Sequence, residues 1–295
     1  MVGINKFKLS EDYSYLFPYH RFGWKRAIEE ISKAIDSSGY IYLEPFFERV
    51  FGYERQDSHR VEIYEKNPWV TFVHEPALTG NADSALSVLL LREETKKCLP
   101  NLKGIYCLTE AQKKVFSQYE QLKDIPISVL KYPTEYNVPK WDVNKLTYDV
   151  YEIGTHYRMS ITRGVRLKQA RNIIVLNQKE KKLTDEEYDE TLSNSIIVEK
   201  YFFNTAASTT IVECMAACNP LIVNKIDPIV EYLGEDYPNY YINSNHLYKM
   251  FLNKDKLRER LINANLYLKD LAEKRPLSYS KFIKDISNSE VYNSI

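Results

Sequence analysis

The sequence predicts an α/β protein made of two doubly wound parallel sheets, and three observations point there. Short apolar strand candidates alternate with amphipathic helical stretches along the chain. A polar stretch at 133–145, holding Pro133 and Pro139 and lacking a clear period, interrupts the alternation, which then restarts. The chain has 295 residues, more than one hydrophobic core usually needs, and 44% of them are apolar, enough to fill two. Alternation on both sides of a break builds parallel sheets, whose ligands bind at the carboxyl ends of the strands.

The first half opens with a helix over 23–35, where Trp24, Ala27, Ile28, Ile31 and Ile35 recur at helical spacing. Ser37, Ser38 and Gly39 end it, and a strand follows at 40–43. A strand at 69–73 stops at His74-Glu75-Pro76, and another at 104–108 runs into Thr109-Glu110, the expected cap of a helix at 111–119. A strand at 127–130 closes this half. Beyond the linker come strands at 149–153 and 172–176, a helix at 185–192, a strand at 195–198 and a helix at 209–218. A strand at 221–224, a helix at 228–233, a strand at 240–242 and two helices over about 245–273 complete it. The expected domains are 1–140 and 141–275, with a tail at 276–295 whose last helix packs back toward the first domain.

Charge and composition narrow the function. Forty basic and forty acidic residues cancel, so no overall field draws the chain to nucleic acid or anionic lipid. The start lacks the apolar run of a signal peptide, and no apolar run reaches membrane-spanning length, so a cytoplasmic protein is expected. Cysteines 98, 107, 214 and 218 follow no disulfide or metal-site spacing. Cys214 and Cys218 lie at i, i+4 on one helix, but no second pair completes a metal site, so all four read as structural thiols in a reducing compartment.

The most informative segment is 204–238, NTAASTTIVECMAACNPLIVNKIDPIVEYLGEDYP. Ser208, Thr209 and Thr210 sit at a helix start, where free backbone N–H groups and the helix dipole suit an anion. Glu213 lies one turn inside, within reach of a ribose hydroxyl pair. Asp227-Pro228 opens a second helix, with Asp227 as the expected cap and Glu231 on the first turn. Read alone, the hydroxyls are equally helix caps and the glutamates solvated helix residues.

The run from Ile211 through Glu213, Ala216, Pro220 and Val223, followed by Glu231, resembles the nucleotide-sugar half of GT-B glycosyltransferases. The closest likeness is to retaining, family 4-like members and to small viral and bacterial ones. Their pattern is a polar loop, L-x-E-A-x-A-x-G-x-P-V-I and a later x-x-E; Tyr188, Leu192-Ser193 and 196–198 resemble its approach strand. The resemblance implies two Rossmann-like domains facing a cleft. It also implies a nucleotide-sugar donor, UDP- or GDP-linked, bound by the second domain through Gly154, Asn204, Thr205, Ser208, Thr209, Thr210, Glu213, Asp227 and Glu231. Arg158 and Arg163-Gly164 resemble the family's basic pair, which grips the donor diphosphate as negative charge builds on the leaving group. Taken alone, they are two arginines near a turn.

In the first half the likeness rests on 68–76, a strand ending in a cleft-facing His74 beside Glu75. There His74 would bond the transferred sugar or act as a base, although lone histidines are often structural. His20, Arg21 and Gly23 resemble the loop before the first long helix, which with Glu75 would meet the acceptor. The family departs from this chain at one place: it carries a glutamate eight residues before Glu213, where Thr205 stands here. The resemblance implies a retaining, metal-independent transfer of a hexose or pentose without cofactor, to a glycan or lipid-linked acceptor, compatible with peripheral membrane contact. Thr205 leaves the stereochemistry open. Two alternatives stand beside it, a phage-type DNA-modifying glycosyltransferase and a nucleotide-sugar binder that performs no transfer.

Overall fold

Each strand–strand ladder is parallel, as the alternation of short apolar runs with helices requires. The computed structural model describes residues 3–11, 13, 24–35, 38–53, 58–76, 85–135, 137–154, 159–163, 166–176 and 183–295. In chain order the first part runs β1 (Phe7–Leu9), α1 (Trp24–Ala34), β2 (Ile41–Glu44), α2 (Ser58–Lys66), β3 (Trp69–Phe72), α3 (Leu86–Leu89), α4 (Glu93–Cys98), β4 (Leu102–Cys107), α5 (Glu110–Phe116) and β5 (Ile127–Val129). Then follow β6 (Val150–Ile153), β7 (Ile173–Val175), α6 (Asp185–Asn194), β8 (Ile196–Glu199), α7 (Thr209–Ala217), β9 (Val223–Asn224), α8 (Asp227–Leu233), β10 (Tyr240–Tyr241), α9 (Ser244–Met250), α10 (Lys254–Lys274), α11 (Tyr279–Asn288) and α12 (Glu290–Ser294).

The chain divides into two units. One comprises Met1–Pro133, Asn204–Ala207 and Leu277–Ile295; the other comprises Thr134–Phe203 and Ser208–Pro276. In the first, five strands lie in the order β1-β2-β3-β4-β5, without the reversal expected of a doubly wound sheet. One face of this sheet buries Trp69, Val73, Ile105 and Cys107 against Tyr64 of α2, Leu86 and Leu89 of α3 and Phe116 of α5. On the other face Trp24 of α1 and Phe282 of α11 pack against Phe72. There α12 crosses β4 so closely that a Cβ on Gly104 would stand 2.4 Å from a methyl of Val291.

In the second unit the order is β7-β6-β8, so the winding reverses at β6. A bridge from Val198 to Ile222 brings β9 and β10 alongside β8. The core gathers Val150, Ile196, Val198, Ile222 and Tyr241 under Leu247, Phe251, Leu257 and Leu261 of the closing helices. Trp141, within the polar stretch, is buried here, its indole N–H donating to the Ser195 carbonyl at 3.2 Å.

Candidate functional site

At the carboxyl edge of the second sheet, three strands, β6, β8 and β9, lead into segments that carry polar residues. Glu152 on β6 is fully buried, and its carboxylate collects the Thr162 hydroxyl at 2.6 Å, the Thr162 amide at 3.2 Å, the Ser160 hydroxyl and the Ile161 amide. That carboxylate fixes the loop from which Arg163 emerges exposed. Gly154, directly after β6, holds φ +142°, a region that only glycine enters without strain. Arg158 lies outside the described residues.

Next to β6, β8 ends in Glu199, and Lys200 directly follows it; both are buried. Ser208 precedes α7 in the capping position, but its hydroxyl donates to the Glu199 carboxylate at 3.2 Å, and no side chain caps the first turn of the helix. The expected cap is therefore diverted, which leaves the first-turn amides of α7 for another partner. Thr209 is exposed and Thr210 buried. Glu213, one turn in, is 4% exposed and accepts the Tyr188 phenol of α6 at 2.8 Å. It is not a solvated helix residue. Burial and the Glu213 carboxylate push the Tyr188 phenol well above its ordinary pKa, so it remains a hydrogen-bond donor.

Beyond β9, Asp227 is exposed and is the first residue of α8 rather than its cap; Ile226 occupies the capping position. Glu231 is half-buried, and its carbonyl accepts Arg275 at 2.9 Å. Asn204 and Thr205 group with the first unit; Thr205 is buried and its hydroxyl donates to the Ala207 carbonyl at 3.1 Å.

In the first unit, the turn after β3 is held by side chains. The Glu48 carboxylate accepts the amides of His74 at 2.6 Å and Glu75 at 2.7 Å, while Gln112 donates to the carbonyls of Val73 at 3.2 Å and Glu75 at 3.0 Å. His74 stacks on Phe46 with ring centroids 4.2 Å apart. Its Nε2 lies 2.9 Å from the Pro45 carbonyl and its Nδ1 2.7 Å from the Tyr132 hydroxyl. A carbonyl only accepts, so in the neutral ring Nε2 carries the proton and Nδ1 takes the Tyr132 hydroxyl. Both nitrogens are engaged within the protein, whereas the resemblance implies a cleft-facing His74 that bonds the sugar or acts as a base. His20, Arg21 and Gly23 lie outside the described residues.

Sequence reasoning missed Glu48, Glu152, Glu199 and Lys200. For Glu152, Glu199 and Lys200 the one local signal is a charged residue within or directly after an apolar strand. The four cysteines are free and buried, and burial pushes the Cys98 thiol up to about 12 and those of Cys214 and Cys218 upward, so they stay protonated and inert. Among the described residues no helix is long and apolar enough to cross a membrane.

Neither a family model nor a curated protein matches the sequence. Solved structures do match. The chain is similar to Anabaena HepE in complex with UDP-glucose, with a TM-score of 0.57 and 10% identity over 90% of this chain and 87% of that one. It is similar to TarM, at 0.56 and 14% over 92% and 58%, and to the pneumococcal O-GlcNAc transferase GtfA in complex with UDP and GlcNAc, at 0.55 and 10% over 91% and 59%. It spans 51% of an S. aureus TarM mutant chain, so these comparisons reach between half and three fifths of the TarM and GtfA chains. The fold is that of the GT-B glycosyltransferases.

Proposed function

We propose that this chain is a glycosyltransferase that moves a sugar from a nucleoside-diphosphate sugar to an acceptor, the second unit taking the donor. The observation that carries the reading is the buried Glu213, oriented by Tyr188 one turn inside a helix whose first turn no side chain caps, at the edge where the winding reverses. A carboxylate accepts several hydrogen bonds, so Tyr188 orients Glu213 while leaving capacity for a ribose hydroxyl pair. The amides from Ser208 to Thr210 meet phosphoryl oxygens, and Arg163, with Arg158, neutralises the charge that builds on the departing diphosphate. Gly154 lets backbone approach the ligand. Asp227 and Glu231 on α8, and Asn204 and Thr205, contact the diphosphate or sugar.

The first unit takes the acceptor through Glu75 and through His20, Arg21 and Gly23. With both nitrogens occupied, His74 shapes the β3 turn and presents its ring rather than serving as a base. The donor is a UDP- or GDP-sugar bearing a hexose or pentose, the acceptor a glycan or a lipid-linked sugar met by peripheral membrane contact, and the setting cytoplasmic glycan biosynthesis. Transfer is metal-independent, the cations and helix amides doing the work at the diphosphate, and retaining by family likeness.

A panel of UDP-, GDP-, ADP- and CMP-sugars tests this by thermal shift, followed by measurement of released nucleoside diphosphate. Binding and release by the wild type, with release lost in Arg163→Ala, supports the reading; no shift with any nucleotide sinks it. The uncharged, buried Thr205 favours one second reading, a nucleotide-sugar binder, which binding without release would support.

A further inference from the structure

Lys200, at the carboxyl end of β8, is 4% exposed, and among the described residues no hydrogen bond or ion pair reaches its ammonium. Lysines are rarely buried to this extent without a partner for the ammonium. Of the acids on the same two strands, Glu152 is taken up by the Ser160–Thr162 loop, and one oxygen of Glu199 accepts Ser208. The Lys200 stem lies over Gly154, where an added Cβ would stand 3.0 Å from the lysine Cβ and 3.3 Å from Cγ and Cδ. Gly154 and Lys200 directly follow β6 and β8, the neighbouring strands at the point where the winding reverses. An unpaired cation on a buried stem, in the place where such sheets bind ligands, points to an anion as its partner.

We propose that Lys200 binds a phosphoryl oxygen of the diphosphate, a fixed positive charge set into β8, with Gly154 supplying the space for its stem. The identity of the anion rests on the transferase reading above; the assignment of Lys200 to an anion does not. Lysine presents a compact point charge suited to a phosphoryl oxygen.

The test compares wild type with Lys200→Met, which keeps the stem and removes the charge, and Lys200→Gln as a second variant. Inorganic pyrophosphate, UDP, GDP and uridine are titrated calorimetrically. The expected result is at least tenfold weaker binding of pyrophosphate and of whichever diphosphate binds, unchanged uridine affinity, and ligand-free variants that melt no lower than wild type. In the wild type, the Lys200 Cε resonance shifts on adding pyrophosphate, a readout that needs no variant. Diphosphate affinity within twofold of wild type in either variant, or an unmoved resonance, overturns the role of Lys200 while leaving the transferase reading standing. Lys200-dependent pyrophosphate binding without any nucleotide binding does the reverse. A wild type that binds neither overturns both.

Discussion

The Tyr188 phenol donates to the Glu213 carboxylate across 2.8 Å, tying α6 to α7 behind the proposed donor site. Tyr188→Phe leaves a buried carboxylate one donor short, which costs about 1–3 kcal/mol. Urea denaturation is expected to show that loss, and calorimetry a weaker nucleoside diphosphate. Full stability in the variant would mean that the bond is of no energetic consequence.

Gly154 combines φ +142° with the close approach of Lys200, so Gly154→Ala meets backbone strain and a side-chain clash together. The expected cost is about 1–3 kcal/mol, with pyrophosphate affinity reduced as the lysine stem is pushed aside. Denaturation and titration of the same sample check both halves.

Glu44 and Glu48 give the first unit a pH dependence of defined sign. Burial raises Glu44 to about 7, against the opposing pull of Arg60, and raises Glu48 to about 8. Both folded values lie above the unfolded carboxylate value of 4.5, so the stability they contribute is fully present below pH 4.5 and is lost as pH rises through 7 and 8. Glu48→Gln cannot ionise. Its stability relative to wild type is therefore expected to climb from pH 4.5 to 8 and then level off, and Glu44→Gln to level off near pH 7. Flat difference curves from parallel denaturation series would refute the assignment.

Cys218 ends α7 at φ 52°, ψ 32°, left-handed backbone in a residue other than glycine. Such a position costs an L-residue about 1–2 kcal/mol, and a β-branched one more. Cys218→Gly relieves the strain but gives up a small buried thiol, so a change within about 1 kcal/mol is expected, whereas Cys218→Val should cost about 2 kcal/mol or more. Thermal melts rank the three, and a valine variant as stable as wild type would overturn the argument.

Legibility followed locality. The helix face of Trp24, Ala27, Ile28 and Ile31 is written in its spacing, and all four are buried. Thr109 caps α5 as its sequence position predicts, accepting the Gln112 amide at 3.2 Å. By contrast β1 has three residues and no period of its own; it is a strand because Phe7–Leu9 pairs with Ile41–Leu43. Helix α2 escaped notice because the residues it buries include an arginine, Arg60, whose guanidinium lies 3.6 Å from the Glu44 carboxylate, a contact no short window contains.

The amino-acid order by itself determined the alternation of strand and helix, the parallel sheets and a segment, 204–238, that resembles the GT-B glycosyltransferases, because periodicity, capping and motif spacing act over a few residues. Tertiary structure alone decided that Ser208 turns to Glu199 instead of capping its helix, that His74 has both nitrogens occupied, and that Lys200 is buried over Gly154. Each of those outcomes depends on which strands become neighbours, and strand pairing joins residues tens of positions apart, where local sequence exerts no control.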